Sequence, residues 1–387
     1  MELPERSRRH RGDRQGVVQD QLDARARAVQ RHGAKRRLCG DAGRGPGARD
    51  PGLRFRRGPV RRGPVCRPAA VAELRPRRQR AHLQVGVNAT VALTGATGFL
   101  GRYIVRALAA RGARVVGVVR NPDKVPALVA EGVELRRADL AEPDLLARGF
   151  AGADAVVSNA ALLPVRNWRR ADHLRTNVRG TENVLAAAVA AGVHRIVHVS
   201  SVSAYAGRAP IPVSEDHPLL GEDAGRLTPA YGLSKALAER RAWQLAREHR
   251  LALTTLRPCL IYGAFDTNFM PIFVALAKLP IAVMPACTWL PMVYAGDVAE
   301  AVALALEKPA AIGRAYNVAG EDMTVWRFFR AWREAGGRSA RLALPVPFPY
   351  RRAYDTTRVR AELGWRSRPV DEALRETLAL EPRPWRR

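Results

Sequence analysis

The stretch "TVALTGATGFLGRYIVRAL", Thr90 to Leu108, constrains this chain more tightly than any other. Its glycines, Gly95, Gly98 and Gly101, stand three apart. The run "TVALTG" before them is short, apolar and β-branched, the mark of a strand buried on both faces. After them Leu100, Ile104, Val105 and Leu108 recur at helical spacing. A strand that breaks at glycine and resumes as a helix is the context in which spaced glycines carry meaning. Gly95 permits the tight turn, Gly98 lets backbone approach a diphosphate, and Gly101 lets helix pack on strand. The free N–H groups at the helix start then face an anion.

Strand and helix patterns alternate from there on. "ARVVGVVRNPDK" predicts the next strand, "VELRRADL" (133–140) and "DAVVSNAA" (154–161) two more, and "RIVHVSS" (195–201) a central one after the helix "NVRGTENVLAAAVAAG". The class that follows is α/β, a Rossmann-type doubly wound parallel sheet, with a smaller C-terminal substrate-binding lobe. The expected division is 87–262 for the dinucleotide-binding domain and 263–387 for the substrate lobe, with 293–320 returning to pack on the former. At the end of the second strand a carboxylate would hold a ribose 2′-hydroxyl and repel a 2′-phosphate. Arg120 stands there instead, followed by Asn121, and Arg102 follows the last glycine. Both arginines favour NADP(H) over NAD(H). Asp139, ending the third strand, is placed to contact adenine, and the small residues after the fourth lie over the cofactor.

The chain is strongly basic, with a formal charge of +28, but unevenly so. Residues 1–86 hold 22 Arg and one Lys against 8 acids, a net +15 that leaves +13 for the rest. They contain the tandem "RRGPV" at 56–60 and 61–65 and lack apolar periodicity, so no packed core is expected there. One reading is sequence upstream of a true start near Val85 or Val87; a second is a disordered basic arm touching phosphates, and a third is a domain of its own. Phe55 is its sole aromatic, which disfavours specific recognition of single strands. No signal peptide is visible, and the most apolar run, Met270–Tyr294, is broken by four prolines and Lys278, so no membrane span is expected. Four cysteines without paired spacing fit a reducing cytoplasm and argue against disulfides or zinc. His194 and His198 flank a strand and are not expected to bind metal.

"TPAYGLSKALAERRAWQLAREH" reads as a helix with Thr228 as N-cap and Pro229 at its first position. Tyr231 and Lys235, four apart, share a face. A phenol of pKa about 10 is a poor base at neutral pH, and a neighbouring ammonium with a cationic nicotinamide would lower that value. Upstream, Ser201 ends a central strand, able to hydrogen-bond a substrate oxygen, with Ser203 as its near competitor. Arg outnumbers Lys 59 to 5, so a lysine at this spacing is informative.

With these residues in place the sequence resembles an extended short-chain dehydrogenase/reductase of the epimerase/dehydratase superfamily. "TGATGFLG", "NAA" at 159–161, "TNVRGTENVL", "VSSVSAY", "YGLSK", "LRPCLIYG", "VYAGDVAEAV" and "YNVAG" each match a familiar position, as does the closing "AYDTTRVRAELGW". The match runs from Asn88 to Leu378. The resemblance implies Ser201, Tyr231 and Lys235 as the catalytic triad. It implies a cofactor site of Gly95, Thr97, Gly98, Phe99, Leu100, Gly101, Arg120, Asp139, Leu140, Asn159, Ala160, Ala161, Asn177, Tyr231, Lys235 and Pro258, some of them supporting. Dehydratases of the superfamily carry an Asp-Glu pair after the serine; Val202 and Ser203 here speak against dehydration. A homodimer is common in the group.

The substrate is expected among 206–228, 262–294 and 321–352. Between Ala264 and Gly296 the charges are Asp266 and Lys278 alone, few for a nucleotide-sugar diphosphate. Phe265, Phe269, Ile272, Phe273, Trp289 and Met292 suggest an apolar wall. The expected activity is therefore hydride transfer between nicotinamide and a secondary alcohol or ketone of an apolar small molecule, resembling the dihydroflavonol-reductase and 3β-hydroxysteroid-dehydrogenase branches. A nucleotide-sugar 4-epimerase with tightly bound NAD is the alternative, supported by "NFMP" at 268–271 and by Arg351 or Arg352. A non-catalytic nucleotide-binding subunit is a third reading.

Overall fold

The computed structural model describes residues 88–124, 132–164, 169–207, 210–225, 227–383 and 385. The tandem "RRGPV" and the expected basic arm lie outside the described residues. Seven parallel strands form the main sheet: β1 (Thr90–Thr94), β2 (Arg114–Val119), β3 (Glu134–Arg137), β4 (Ala155–Ser158), β5 (Arg195–Val199), β6 (Ala252–Pro258) and β11 (Ala315–Val318). Their order across the sheet is β11-β6-β5-β4-β1-β2-β3. Chain order reverses between β1 and β4, and the crevice outside the strand ends at such a switch point is where ligands bind in open α/β sheets. The register sets Thr94 beside Ser158, and Ser158 beside His198.

Both faces of the sheet are covered, which is why β4, β5 and β6 are buried throughout. Helix α1 (Phe99–Ala109) packs one face together with a later helix, Ala295–Glu307. Val91, Leu93, Val197 and Val199 meet Ile104, Leu108, Val298 and Val302 there. Helices α2 (Pro143–Phe150), α3 (Gly180–Ala190) and α4 (Ala230–Glu248) cover the other face, against Ala92, Val116, Val156, Ile196 and Leu253. Alternate residues of one strand thus serve two cores, as the strand period of two requires. The helix expected from Asn177 begins earlier: an α-turn at Arg170–His173 runs through a π-helical segment, Leu174–Arg179, into α3. Helix α4 starts at Ala230, with Pro229 at the cap position where Thr228 was expected.

After β6 the chain builds three two-stranded parallel ladders: β7 (Leu260–Tyr262) with β10 (Met292–Tyr294), β8 (Ile281–Pro285) with β12 (Leu342–Val346), and β9 (Thr288–Trp289) with β13 (Tyr350–Arg351). Helix α5 (Phe269–Ala277) packs among them, and α6 is the helix Ala295–Glu307 already described. Helix α7 (Val325–Glu334) inserts Phe328 and Trp332 against Phe273, at ring-centroid distances of 5.0 Å and 5.7 Å. Helices α8 (Thr357–Leu363) and α9 (Val370–Leu380) close the chain.

A buried polar network fastens these parts together. Arg257 on β6 donates to both carboxylate oxygens of Glu239 on α4, at 2.6 Å and 3.1 Å, and also to the Tyr205 hydroxyl and the Glu215 carbonyl, at 2.9 Å and 2.8 Å. Tyr205 donates to Asn317 Oδ1 at 2.6 Å, and Asn317 Nδ2 donates to the carbonyls of Val213 and Asp355. Glu239 is fully buried and Arg257 nearly so. Removing one member of such a pair leaves an uncompensated charge in the interior. Glu239→Ala is therefore expected to lose about 3–5 kcal/mol of stability in guanidinium unfolding; a loss below about 1 kcal/mol, the worth of a surface pair, would contradict this account.

Candidate active site

The first strand and helix meet through the glycine turn. Gly95 takes a left-handed φ of +73°, and Gly98 donates its N–H to the Gly95 carbonyl at 3.0 Å. A Cβ on Gly101 would fall 2.1 Å from the Gly95 carbonyl oxygen, so only glycine lets α1 approach so closely. Helix α1 has no side-chain cap and no acid in its first turn. Its first amides are thus free of competing anions from the chain itself. Beside the turn, Thr94 Oγ1 accepts the N–H groups of Asn159 and Ala160, at 3.1 Å and 3.2 Å. This pins the end of β4 next to Gly95.

A cavity of about 890 Å³ opens at this point. Fourteen of the residues expected at the cofactor site line it: Gly95, Thr97, Gly98, Phe99, Leu100, Arg120, Asp139, Leu140, Asn159, Ala160, Ala161, Tyr231, Lys235 and Pro258. Gly101 and Asn177 do not, and their place is structural. Asn177 is buried in the π-helical segment, where Oδ1 accepts the Leu162 N–H at 2.7 Å and Nδ2 donates to Ser234 Oγ at 2.9 Å. It thereby ties the 160–164 loop to α4. Arg102 is also absent from the cavity: its guanidinium lies over the Phe265 ring, 4.9 Å from the centroid. Arg120 is largely exposed, with Asp139 at 3.9 Å.

Ser201, Tyr231 and Lys235 line the same cavity. Helix α4 brings Tyr231 in its first turn and Lys235 one turn later. Lys235 Nζ donates to the Val199 carbonyl at 2.7 Å, two residues before Ser201. Gly232 makes the approach of α4 to that loop feasible, since a Cβ there would sit 2.5 Å from the Ser203 carbonyl. Ser201 Oγ accepts the Ser203 N–H at 3.1 Å and is hydrogen-bonded to the Tyr231 phenol. Ser203, the competitor, also lines the cavity, but it is Ser201 that meets the phenol.

Electrostatics modifies the expectation of an acidic phenol. Burial pushes Tyr231 up to about 12, opposed by the Ser201 hydrogen bond. Lys235 is not among the groups that move it. Burial also pulls Lys235 down to about 8, with Glu239 pulling the other way. His198, behind the sheet end, is pulled down to about 3 by burial and by Lys235, so it stays neutral.

The outer part of the cavity corrects the expected substrate wall. Phe269 and Ile272 line it, as do Leu290, Tyr350, Arg352 and Tyr354. Phe273 and Met292 belong to the hydrophobic core instead, Phe265 stacks under Arg102, and Trp289 is surface-exposed with Arg351 over its ring. Among the described residues none of 206–228 lines the cavity, because that segment is engaged in the Arg257 network. Cys259 and Tyr354 were not anticipated. Tyr354 sits in the closing "AYDTTRVRAELGW", a motif that could have pointed to it. Among the described residues no group of three His, Cys, Asp or Glu side chains could hold a metal ion, and no helix is long and apolar enough to cross a membrane.

Residues 91–319, more than half of the chain, match the model of the NAD dependent epimerase/dehydratase family. The chain belongs to that family. Within it, a relative 38% identical over 180 residues is the 4-hydroxy-2-methyl-3-oxo-4-farnesyl-3,4-dihydroquinoline-1-oxide ketoreductase of Stigmatella aurantiaca; the match covers 46% of this chain and 52% of that protein. The chain thus spans about half of that relative's length. Sterol demethylase protein B of Methylococcus capsulatus is 32% identical over 269 residues, covering 66% of this chain and 77% of that protein. The crystal structure of gox2253 superposes with a TM-score of 0.63 at 29% identity, covering 76% of this chain and 97% of that one. In the epimerase/dehydratase frame the glycine turn and the Ser201–Tyr231–Lys235 group are two ends of one cleft.

The lysine offers a test free of any ligand. Its folded pKa of about 8 lies below the ordinary 10.5, so folding disfavours the proton and stability rises as pH climbs between those values. Relative to Lys235→Met, the parent is expected to gain roughly 2 kcal/mol between pH 7 and pH 10 in chemical unfolding. A difference that does not change with pH would contradict the burial of this ammonium.

Proposed function

We propose that this protein is an NAD(P)-dependent oxidoreductase that interconverts a ketone and a secondary alcohol on an apolar small molecule. The observation that carries the reading is the meeting of Ser201, Tyr231 and Lys235 at one end of a cavity whose other end is the Gly95–Leu100 turn. The residues present suit a dinucleotide. Gly95, Gly98 and the first amides of α1 would hold the diphosphate, Arg120 and Asp139 would flank the adenosine, and Lys235 would hold the nicotinamide ribose. Lys235 spends one of its three donors on Val199, which leaves two for such hydroxyls. The bound dinucleotide supplies or accepts the hydride.

The protein's own part is proton handling. Tyr231, held protonated at neutral pH by its burial, donates to the carbonyl oxygen as that oxygen gains charge. Ser201, whose single O–H meets the phenol before the substrate binds, turns that proton to the same oxygen and stabilises its growing charge. The apolar lining from Phe269, Ile272 and Leu290 favours an apolar substrate. The names of the two relatives, a farnesyl-dihydroquinoline-oxide ketoreductase and a sterol demethylase protein, accord with that class.

The cofactor reading favours NADP(H). Arg120 keeps its guanidinium largely in solvent, available to a 2′-phosphate, with Asp139 near the limit of an ion pair. The second reading, a nucleotide-sugar 4-epimerase, is supported by the family description and by Arg352 within the cavity. A reductase consumes added NADPH when given a ketone; an epimerase shows no net turnover of added cofactor.

Two outcomes are expected. Tyr231→Phe should lower kcat for ketone reduction by at least about 100-fold while NADPH binding, read by nicotinamide fluorescence, stays within about twofold; retained biological function in that variant would favour a non-catalytic role. Arg120→Ala should raise KM for NADPH about tenfold and leave that for NADH nearly unchanged. An equal effect on both cofactors would remove the 2′-phosphate assignment.

A further inference from the structure

The lobe beyond the cavity presents an unusual face. In the β8–β12 ladder Ile281 pairs with Leu342 and Val283 with Leu344. All four are exposed, at 46%, 52%, 50% and 45%, while the alternate residues Ala282 and Met284 are buried in the core. The ladder therefore turns aliphatic side chains outward. Leu276 and Leu279 on and just after α5 are also exposed, as is Phe348 before β13. A monomer rarely leaves so much apolar surface in one lobe without a use for it.

The charges on the two segments that carry this face are all of one sign, with Asp266, Glu334 and Asp355 at their borders. Segments 267–296 and 335–354 contain Lys278, Arg338, Arg341, Arg351 and Arg352, and no Asp or Glu. Lys278 is held below the ordinary ammonium range by burial and, secondarily, by the like charge of Arg338. Among the described residues Lys278, Arg338 and Arg341 form no ion pair. Ile272 and Tyr350, both exposed, line the mouth of the cavity from this lobe.

We propose that this face docks on an anionic lipid bilayer. The exposed aliphatic side chains enter the boundary between headgroups and acyl chains, and the surrounding cations meet anionic headgroups. A second copy of the chain is a poorer occupant. A two-fold interface on this face would bring the two Lys278–Arg338–Arg341 sets together with no acid to compensate them. No helix among the described residues spans a membrane, which agrees with a protein lying on the surface. Docking also places the cavity mouth near the bilayer, where an apolar substrate partitions. The docking itself does not depend on the reaction assigned to the cavity.

The experiment is co-sedimentation of the full chain with vesicles of phosphatidylcholine containing 30% phosphatidylglycerol, and with phosphatidylcholine alone. Because residues 1–86 carry a net charge of +15, the readout is the difference between variants of the same chain. Val283→Asp/Leu344→Asp should weaken binding to the mixed vesicles about tenfold or more. Lys278→Gln/Arg341→Gln, which alters only exposed side chains, should reduce the preference for anionic vesicles severalfold. Unchanged NADPH binding and melting temperature in both variants mark them as folded. Parent-like vesicle binding by both folded variants overturns the proposal. So does a parent whose mass by light scattering is dimeric and falls to monomeric in Val283→Asp/Leu344→Asp, since the face would then join copies.

Discussion

One charged contact organises the chemistry of this molecule: Lys235 Nζ to the Val199 carbonyl, at 2.7 Å. It fastens helix α4 to the end of the central strand β5. Because Ser201 lies two residues beyond Val199 and Tyr231 one turn before Lys235, the contact also fixes serine and phenol against each other. The glycine at 232 is what lets the helix come near enough, since any side chain there would strike the Ser203 carbonyl. A turn further along α4, Glu239 repeats the device on β6 through Arg257. Two ionic anchors on one helix, each to a neighbouring strand, hold the reacting end more firmly than apolar packing would, because each has a required geometry.

Burial sets the ionisation of this group more than mutual attraction does. The lysine sits well below its ordinary value and the phenol well above its own, so each is shifted toward its neutral form. The protein's groups alone thus prepare a proton donor hydrogen-bonded to a serine, next to an ammonium with spare donors. Among the protein's own groups, burial thus outweighs the acidifying influence expected from the lysine and a cationic nicotinamide together.

Much of this was legible in the sequence wherever function lives in local spacing. The strand–glycine–helix junction at Thr90–Leu108 and the four-residue interval from Tyr231 to Lys235 are short-range patterns, and the structure brings both to one cleft. What depends on facing was not legible. Phe269 and Phe273 lie a turn apart on α5, yet the first reaches the cavity and the second fills the core. Arg102 follows the last glycine as a phosphate ligand would, but the ring of Phe265 claims it. The network of Arg257, Tyr205, Glu215 and Asn317 joins residues as much as 112 apart, so no window of the sequence contains it. Ile281, Ala282, Val283 and Met284 form a continuous apolar run that signals a buried strand, yet Ile281 and Val283 stand exposed.

The most direct measurement of the central claim is a crystal structure of the protein grown with NADPH. The account predicts the diphosphate at the Gly95–Leu100 turn and the nicotinamide beside Tyr231, with Lys235 hydrogen-bonded to its ribose. A dinucleotide bound away from Tyr231 and Lys235, or none bound at saturating concentration, would contradict it.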